Sequence, residues 1–401
     1  KHRQRSRECE SKLRRFMDII LTCNFSPWSP YSGGGQQSTH ELATALAARG
    51  HRVSVVFTRP PFEDFEIPQN LGYQVIWASF FALRSWSSAP LRSLNALSVA
   101  RAVGKILSCT PRPVVVHGQG EESALIPRLQ FRSPFAFVIT PRYPSYPEGL
   151  QTGRPFRRLF VLPKYKILGA TIHKADGWCP TSRASADSVV KAFGQPAANC
   201  TVVPNGVAHA FFAVERRRDA TSGPIVFHGR LAHSKGADTL LDALALTGIS
   251  IPVVFVGRGP AEKRLRRRAR RLGLSHVEFS GWQSQAWIAE LLSRASLSVL
   301  PSREESFGNA MVEAMAAGVP LVSTRVGAVP EVAVADTSVL VAPNDSEALA
   351  EAIVALRADP ARSERLGQAG RLHARAHYSW DKSAEQFGTV YRQVLAGRLS
   401  P

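Results

Sequence analysis

The chain has 401 residues, of which 44% are hydrophobic and 20% charged, and this composition favours a folded protein of about two domains. Its apolar runs, such as Pro113–Val116 and Leu297–Leu300, are far shorter than the roughly 20 apolar residues of a membrane span, and its five cysteines lack the paired spacing of a zinc site or small disulfide scaffold. The 50 Lys and Arg residues against 31 Asp and Glu leave a net charge of +19, which predicts either an anionic partner or simply an arginine-rich, soluble surface.

The first half of the chain begins with a basic stretch, residues 1–15, which we predict to be a disordered arm. A strand over Asp18–Asn24, a loop with three glycines, a helix over Ser38–Arg49 and a strand over Arg52–Thr58 form a βαβ unit, which predicts a parallel sheet. Further strands are predicted over Tyr73–Ala78, Val114–His117, Phe135–Thr140, Gly177–Pro180 and Cys200–Val203.

A second series of alternating predicted strands and helices begins after a polar stretch over 216–224, which is typical of a linker. We therefore predict an α/β protein with two tandem Rossmann-like, doubly wound parallel-sheet domains, 16–205 and 206–378, facing a central cleft. The strands predicted in the second domain are Ile225–Arg230, Val253–Gly257, Val277–Ser280, Leu297–Pro301, Leu321–Thr324 and Val339–Val341. Helices are predicted between them over Ala286–Arg294, Asn309–Ala317 and Glu347–Arg357.

Two loops at predicted strand ends have the composition of an anion site. Gly33-Gly34-Gly35 would let backbone approach a ligand at a helix start, although the GxGxxG spacing is absent and the run could be only a turn. In the second domain, Arg230 and Lys235 follow a predicted strand and could clamp a diphosphate. The alternative for this pair is a solvated basic loop.

The segment 301–320 carries the strongest signal. Glu305 lies in its loop and Glu313 more than one turn into an otherwise apolar helix, where a carboxylate is costly unless it is paired or binds something. Such carboxylates can accept hydrogen bonds from sugar hydroxyls, and main-chain N–H groups over 306–309 can face an anion. Two carboxylates can also indicate acid–base catalysis, and the sequence does not decide between these uses.

In these motifs the sequence resembles glycosyltransferase family 4, whose members are retaining enzymes of the GT-B fold. The resemblance rests on Glu305-x7-Glu313 with Gly308 and Gly318-x-Pro320, and it covers residues 16–60 and 200–380 well but 62–135 poorly. It extends to the Gly33–Gly35 loop, Gly50-His51-Arg52-Val53, Pro204-Asn205-Gly206-Val207, Gly229-Arg230-Leu231 with Lys235-Gly236, Gly257-Arg258-Gly259-Pro260 and Phe279-Ser280-Gly281.

The resemblance implies a role for each matching residue. Arg230 and Lys235 would bind the donor diphosphate, Glu313 the nucleotide ribose, and Glu305 the donor sugar. His117 would lie near that sugar, although a histidine that merely ends a strand is an open alternative. The remaining donor-binding residues would be Gly34, Gly35, Gly229, Gly257, Gly259, Gly281, Ser306, Phe307 and Gly308.

Two departures from the family pattern stand out: Ala208 replaces an Asp that often follows the Asn-Gly-Val turn, and Glu304 adds an acid beside Glu305. We assign the motif to Glu305 because the seven-residue spacing fits it. The resemblance also implies that the segment 379–401 contains a helix crossing back to the first domain.

The activity implied is retaining, metal-independent transfer from a nucleotide sugar, UDP-sugar first and GDP-mannose second, to a sugar- or lipid-linked acceptor. No cofactor or metal is expected, and no Asp-x-Asp sequence is present in the chain. We expect a cytoplasmic protein, and peripheral attachment to the inner face of a membrane stays open.

Two other functions are compatible with the charge. A non-catalytic nucleic-acid binder on a degenerate scaffold would use the basic run at 263–271, but we expect that run to be a solvated helix face with Leu265, Ala269 and Leu272 buried. The basic and aromatic segment 79–107 is typical of an interface with an anionic membrane, or of a core helix with arginines outside. We expect no nucleic-acid partner.

Overall fold

A computed structural model describes residues 16–29, 32–60, 66–81, 92–111, 113–142, 166–194, 199–217 and 222–399. The predicted arm 1–15, part of the predicted linker (218–221) and part of the predicted interfacial segment (82–91) lie outside the described residues. The chain divides into two compact units. Unit 1 comprises Lys1–Thr181, Ala186–Val203 and Trp380–Pro401, and unit 2 comprises Ser182–Ser185 and Pro204–Ser379.

Unit 1 is built on a six-stranded parallel sheet with the order β3-β2-β1-β4-β5-β6. The central strands are buried on both faces, as expected for a sheet covered by helices on each side. The order in which successive strands are added to the sheet reverses between β1 and β4, and ligands of open parallel sheets bind at such a switch point. The strands are β1 Asp18–Cys23, β2 Arg52–Arg59, β3 Gln74–Ser79, β4 Val114–Gly118, β5 Ala136–Ile139 and β6 Gly177–Trp178.

The helices of unit 1 include the last helix of the chain. Phe387 and Tyr391 of that helix are buried in the unit 1 core, and Glu385 on its surface forms an ion pair with Arg49 at 3.9 Å. The helices are α1 Gly34–Ala48, α2 Arg92–Cys109, α3 166–173, α4 Arg183–Phe193, which starts in unit 2, and α13 Trp380–Leu399.

One strand predicted in unit 1 is wrong. Residues Cys200–Val203 form no strand, and Cys200 makes a single isolated bridge with Trp178. Strand β6 itself has only two residues, so the edge of the sheet is too short to pair with a full additional strand.

Unit 2 contains a second six-stranded parallel sheet, with the order β12-β11-β10-β7-β8-β9. Its strands are β7 Ile225–His228, β8 Val253–Val256, β9 Val277–Gly281, β10 Leu297–Leu300, β11 Leu321–Thr324 and β12 Val339–Val341. Its helices are α5 His209–Ala213, α6 Ala237–Thr247, α7 Glu262–Arg271, α8 Gln285–Ser293, α9 Asn309–Ala316, α10 Val329–Val332, α11 Ser346–Ala358 and α12 Pro360–His377. The predicted α/β class with two parallel sheets is confirmed.

The basic helix α7 has the predicted solvated face. Leu265 and Ala269 are buried, whereas Leu272 is 37% exposed and its predicted burial is wrong, because it caps the helix beyond the last turn that packs on the sheet. Arg268 donates to both carboxylate oxygens of Asp242, at 2.6 and 2.7 Å. Part of the charge on this face is therefore neutralised inside unit 2.

Among the helices in the described ranges, none has both the length and the apolar character that a membrane-spanning helix requires.

Candidate functional site

The loops at the carboxyl ends of β7 and β8 are joined by main-chain hydrogen bonds. The Gly229 amide donates to the Val256 carbonyl at 3.0 Å, and the Leu231 amide donates to the Arg258 carbonyl, also at 3.0 Å. Gly257 has φ +130°, and a Cβ there would collide with the Gly229 carbonyl oxygen, so only glycine allows this approach. Two loops that are distant in sequence thus form one continuous edge.

Two further predicted glycines of unit 2, Gly259 and Gly281, lie at the same edge. The Gly257 amide donates to the Gly281 carbonyl at 2.6 Å, and a Cβ at Gly259 would collide with the Leu231 backbone. Arg230 lies between Gly229 and the fully buried Leu231, and its own side chain is exposed. The buried Leu231 thus fixes the loop, and the Arg230 side chain remains exposed at this edge.

Lys235 and Glu305, 70 residues apart in sequence, form an ion pair in this region. Their side chains are 29% and 11% exposed, and Ser302 Oγ also donates to Glu305 Oε2 at 3.3 Å. Gly236, directly after Lys235, has φ +63° and lies so close to the Pro301 carbonyl oxygen that a Cβ would collide with it. The Lys235 turn is therefore held against the end of β10, next to the Glu305 loop.

Arg303 stabilises the Lys235 turn, a role that no sequence motif predicted. Its Nη1 donates to Asp238 Oδ1 and to the His233 carbonyl, both at 2.7 Å, and its Nη2 donates to Thr239 Oγ1 at 3.0 Å. The Arg303 amide donates to the Ser234 carbonyl at 2.7 Å. The Arg303 pair also lowers the pKa of Asp238, against the opposing effect of burial, which keeps that carboxylate charged.

Glu313 lies on α9 and makes a hydrogen bond to His228, the last residue of β7, with Nε2 and Oε2 3.0 Å apart. The His228 side chain is 2% exposed and the Glu313 side chain 20% exposed. The sequence motif predicted a role for Glu313 but none for His228. A histidine ending an otherwise apolar strand was the available signal.

Residues 306–308 form the entry to α9. Gly308 is the residue before the helix, with φ +97°, and the Phe307 ring is 3% exposed and packs edge-on against Tyr378 at 5.6 Å. The Ser306 carbonyl accepts a hydrogen bond from Ser182 Oγ at 2.7 Å. The Phe307 side chain is thus part of the core, and only its main chain is available for the predicted contact with a ligand.

The predicted residues of unit 1 lie at the carboxyl ends of β1 and β4. Gly34 and Gly35 are the first residues of α1, and a Cβ at Gly35 would lie 3.5 Å from Cδ of Arg142. His117 is fully buried: Nδ1 lies 2.7 Å from the Tyr391 hydroxyl and Nε2 2.8 Å from Thr140 Oγ1. Burial, with a smaller effect from Arg142, lowers the His117 pKa to about 3, so its ring is neutral and both nitrogens are engaged in the core.

A buried acid, Glu122, is connected to His117 through Gln119, whose Nε2 lies 3.3 Å from Nε2 of His117. Its Oε1 accepts hydrogen bonds from Thr22 Oγ1 at 3.2 Å and from the Gln119 amide at 3.1 Å, and Arg142 Nε donates to Gln119 Oε1 at 2.6 Å. Burial first, and then the charge of Glu121, raise the pKa of Glu122 to about 7. No motif in the sequence indicates this acid.

We expect the Glu122→Gln variant to change the pH dependence of stability. A carboxyl whose pKa is raised in the folded state holds its proton more tightly there, so its contribution to stability is lost as pH rises from its usual value of 4.5 to about 7. Over that pH range the free energy of unfolding of the natural protein should therefore fall by about 3 kcal/mol relative to that of the variant. Urea unfolding of both proteins at the two ends of the range measures the difference.

The lowered pKa of His117 acts in the opposite direction, since stability from a neutral buried histidine is lost as pH falls through and below the ordinary value of 6.5. This effect is present in both proteins and cancels in the comparison. A difference in unfolding free energy that stays constant with pH would contradict the assignment.

Comparisons with known proteins extend over both units. A family model described as Glycosyltransferase Family 4 matches residues 32–211, and one described as Glycosyl transferases group 1 matches residues 213–373. D-inositol 3-phosphate glycosyltransferase from Segniliparus rotundus is 31% identical over 97% of this chain and 91% of its own. Glycogen synthase from Mycobacterium tuberculosis is 28% identical over 92% of this chain and 93% of its own.

A solved structure gives the same result for the fold. Sucrose-phosphate synthase from Thermosynechococcus elongatus has a TM-score of 0.81 and 25% sequence identity, over 95% of this chain and 100% of that one. Because the likeness in sequence runs along nearly the whole of both chains and the family models match both units, the chain belongs to glycosyltransferase family 4.

Proposed function

We propose that this glycosyltransferase moves a sugar from a UDP-sugar, or in second place from GDP-mannose, to a sugar- or lipid-linked acceptor with retention of configuration. The observation that carries the proposal is the grouping of Arg230, the Lys235–Glu305 pair and the His228–Glu313 pair in the loops and helix that follow β7 and β10. Unit 2 thus contains both the cations that suit phosphate groups and the carboxylates that suit hydroxyl groups.

Transfer breaks the bond between the anomeric carbon and the diphosphate oxygen, and the electron pair leaves with the diphosphate. Arg230 and Lys235 would stabilise that charge where it develops. Lys235 has three N–H donors and its ion pair with Glu305 uses one, which leaves two for phosphate oxygens. The acceptor oxygen bonds to the anomeric carbon on the face that the diphosphate leaves, and its proton passes to the departing phosphate.

The two carboxylates would hold the donor at its ends. Glu305 faces the sugar, together with the main-chain amides of Ser306, Phe307 and Gly308, and Glu313 accepts from the ribose hydroxyls. A Cβ at Gly229 would meet no protein atom, and Gly257 and Gly259 let the two loops pack closely. A nucleotide would therefore lie against the main chain of this edge, which includes Gly281. Gly34, Gly35 and His117 stay predicted contacts of unit 1, and the buried ring of His117 would first have to become accessible.

We also propose that Arg230 and Lys235 take the place of a divalent cation, since two fixed cations can offset the charge of a departing diphosphate. One similar protein is a D-inositol 3-phosphate glycosyltransferase and another is a glycogen synthase. We accordingly expect a polyhydroxylated acceptor, recognised by unit 1, in glycan, polysaccharide or glycolipid synthesis.

A screen of UDP-, GDP- and ADP-sugars for thermal stabilisation tests the donor assignment. A donor at one hundred times its Kd stabilises the folded state by about 2.7 kcal/mol, enough to raise Tm by several degrees. The sugar nucleotide with the largest shift then enters a transfer assay. A flat response to all three nucleotides would contradict the proposal.

We further propose a cytoplasmic protein with peripheral contact to an anionic membrane surface. On helix α2, Val99 and Val103 are buried, while Arg101 and Lys105 are exposed and Leu94 is 44% exposed. Basic and apolar groups exposed on one helix suit an anionic bilayer surface. Co-sedimentation with phosphatidylglycerol vesicles at low salt, reduced in the Arg101→Glu/Lys105→Glu double variant, is the expected result. Failure of the natural protein to co-sediment would contradict it.

A further inference from the structure

The histidine that ends β7 is unusual for its position. Strand β7 is otherwise apolar and fully buried, and it lies inside the sheet between β10 and β8. Phe227 stacks on Phe255 with ring centroids 5.2 Å apart, and His228, as the next residue along the strand, points to the opposite face. Burying an imidazole there is costly unless it has a hydrogen-bond partner.

That partner is Glu313. A carboxylate can only accept, so the His228 ring donates from Nε2, at 3.0 Å to Oε2. Among the described residues this is the single hydrogen bond of the Glu313 carboxylate, and His228 Nδ1 has no partner among them. The hydrogen bond from His228 therefore fixes Oε2 of the carboxylate and leaves Oε1 without a partner among the described residues.

The hydrogen bond from His228 is important for ligand binding because glutamate has three rotatable side-chain bonds. A donor that waits at Oε2 selects one orientation before the ligand arrives, so the ligand need not supply the ordering free energy. Glu313 is 20% exposed while His228 is 2% exposed, so a ligand would contact the carboxylate and not the ring.

We propose that His228 is a positioning residue for donor recognition: it orients Glu313 so that the free carboxylate oxygen accepts from the ribose hydroxyls. This inference rests on the proposed function of Glu313 and adds a residue to which neither the sequence motif nor the family resemblance assigned a role. It concerns the nucleotide part of the donor, so it makes no demand on the identity of the sugar.

The test measures binding of UDP and GDP, and of their 2′,3′-dideoxy analogues, by titration calorimetry at constant pH. In His228→Leu we expect affinity for the nucleotide that binds the natural protein to fall about tenfold. Affinity for the dideoxy analogue should stay unchanged, because that analogue lacks the hydroxyls that Glu313 accepts from. A merely structural loss would weaken both ligands equally.

Four further variants sharpen the result. His228→Gln keeps an N–H donor at about the position of Nε2 and should restore most of the affinity, whereas the shorter His228→Asn should not; this pair decides the question if His228→Leu fails to fold. His228→Leu added to Glu313→Ala should cause no further loss, because both changes remove one interaction. His276→Leu, at the amino end of β9, is the matched control and should bind like the natural protein.

The outcomes separate the two proposals. Binding of UDP or GDP that is unchanged in His228→Leu, equally weakened for the dideoxy analogue, or not restored by His228→Gln would overturn the role of His228 alone. Absence of UDP and GDP binding by the natural protein would overturn the proposed donor site, and the role of His228 with it.

Discussion

Replacing Arg230 with alanine is expected to lower kcat for sugar transfer about a hundredfold or more, while the protein stays folded. The Arg230 side chain is exposed, so its removal leaves no cavity in the core. Its guanidinium is proposed to meet charge that appears only as the sugar–phosphate bond breaks, and removal of one such preorganised donor typically costs about 10²–10³ in kcat. Initial rates at saturating donor measure the effect directly.

The control is Arg267→Ala, which removes an exposed arginine from helix α7 of the same unit. It changes the net charge equally and should leave kcat within about twofold, since a solvated charge contributes little at a distance. Arg230→Lys should recover part of the lost rate, because it keeps the charge but not the two-pronged geometry. A normal kcat in Arg230→Ala would exclude the assigned role.

The second large effect is expected for Glu313→Ala, which should weaken binding of the donor nucleotide about ten- to hundredfold. A hydrogen bond to a charged group contributes about 1.5–3 kcal/mol, and the carboxylate is proposed to accept from ribose hydroxyls. Glu313 is partly exposed, so the variant should keep its secondary structure, which circular dichroism can verify. Calorimetric titration with UDP and GDP measures the loss.

Glu351→Ala serves as the matched control for that experiment. Glu351 is exposed on helix α11, and its removal should leave nucleotide affinity unchanged. If Glu313→Ala binds UDP and GDP as tightly as the natural protein, the carboxylate has no part in donor binding.

Strand positions were predictable because buried parallel strands leave continuous apolar runs. Leu321–Thr324 and Val339–Val341 were predicted with their actual bounds. The errors occur where an apolar run does not decide burial. Cys200–Val203 lies next to β6, which has only two residues with which it could pair, and Leu272 lies beyond the last packed turn of α7.

The candidate site was predictable in part, for a related reason. Glycines and charged residues at strand ends are local signals, and they pointed to Arg230, Lys235, Glu305 and Glu313. The partners that hold them are distant in sequence, such as His228, 85 residues from Glu313. Nothing in the sequence near either residue indicates that pairing, so it required the fold.

The structure also shows where several of the basic residues behind the excess positive charge lie. On α7, Arg268 bonds Asp242 and Arg266 bonds Glu262, so this basic run is partly neutralised within unit 2. The proposed donor phosphates account for Arg230 and Lys235. The exposed Arg101 and Lys105 on α2 of unit 1 are the described groups that best suit an anionic surface.

Release of a nucleoside diphosphate from a sugar nucleotide tests the central claim most directly. Phosphorus NMR should show the natural protein converting UDP-glucose or GDP-mannose to the free diphosphate, at an undiminished rate in EDTA and at least a hundredfold more slowly in Arg230→Ala. Conversion of neither nucleotide, or equal rates in the natural protein and Arg230→Ala, would contradict the account.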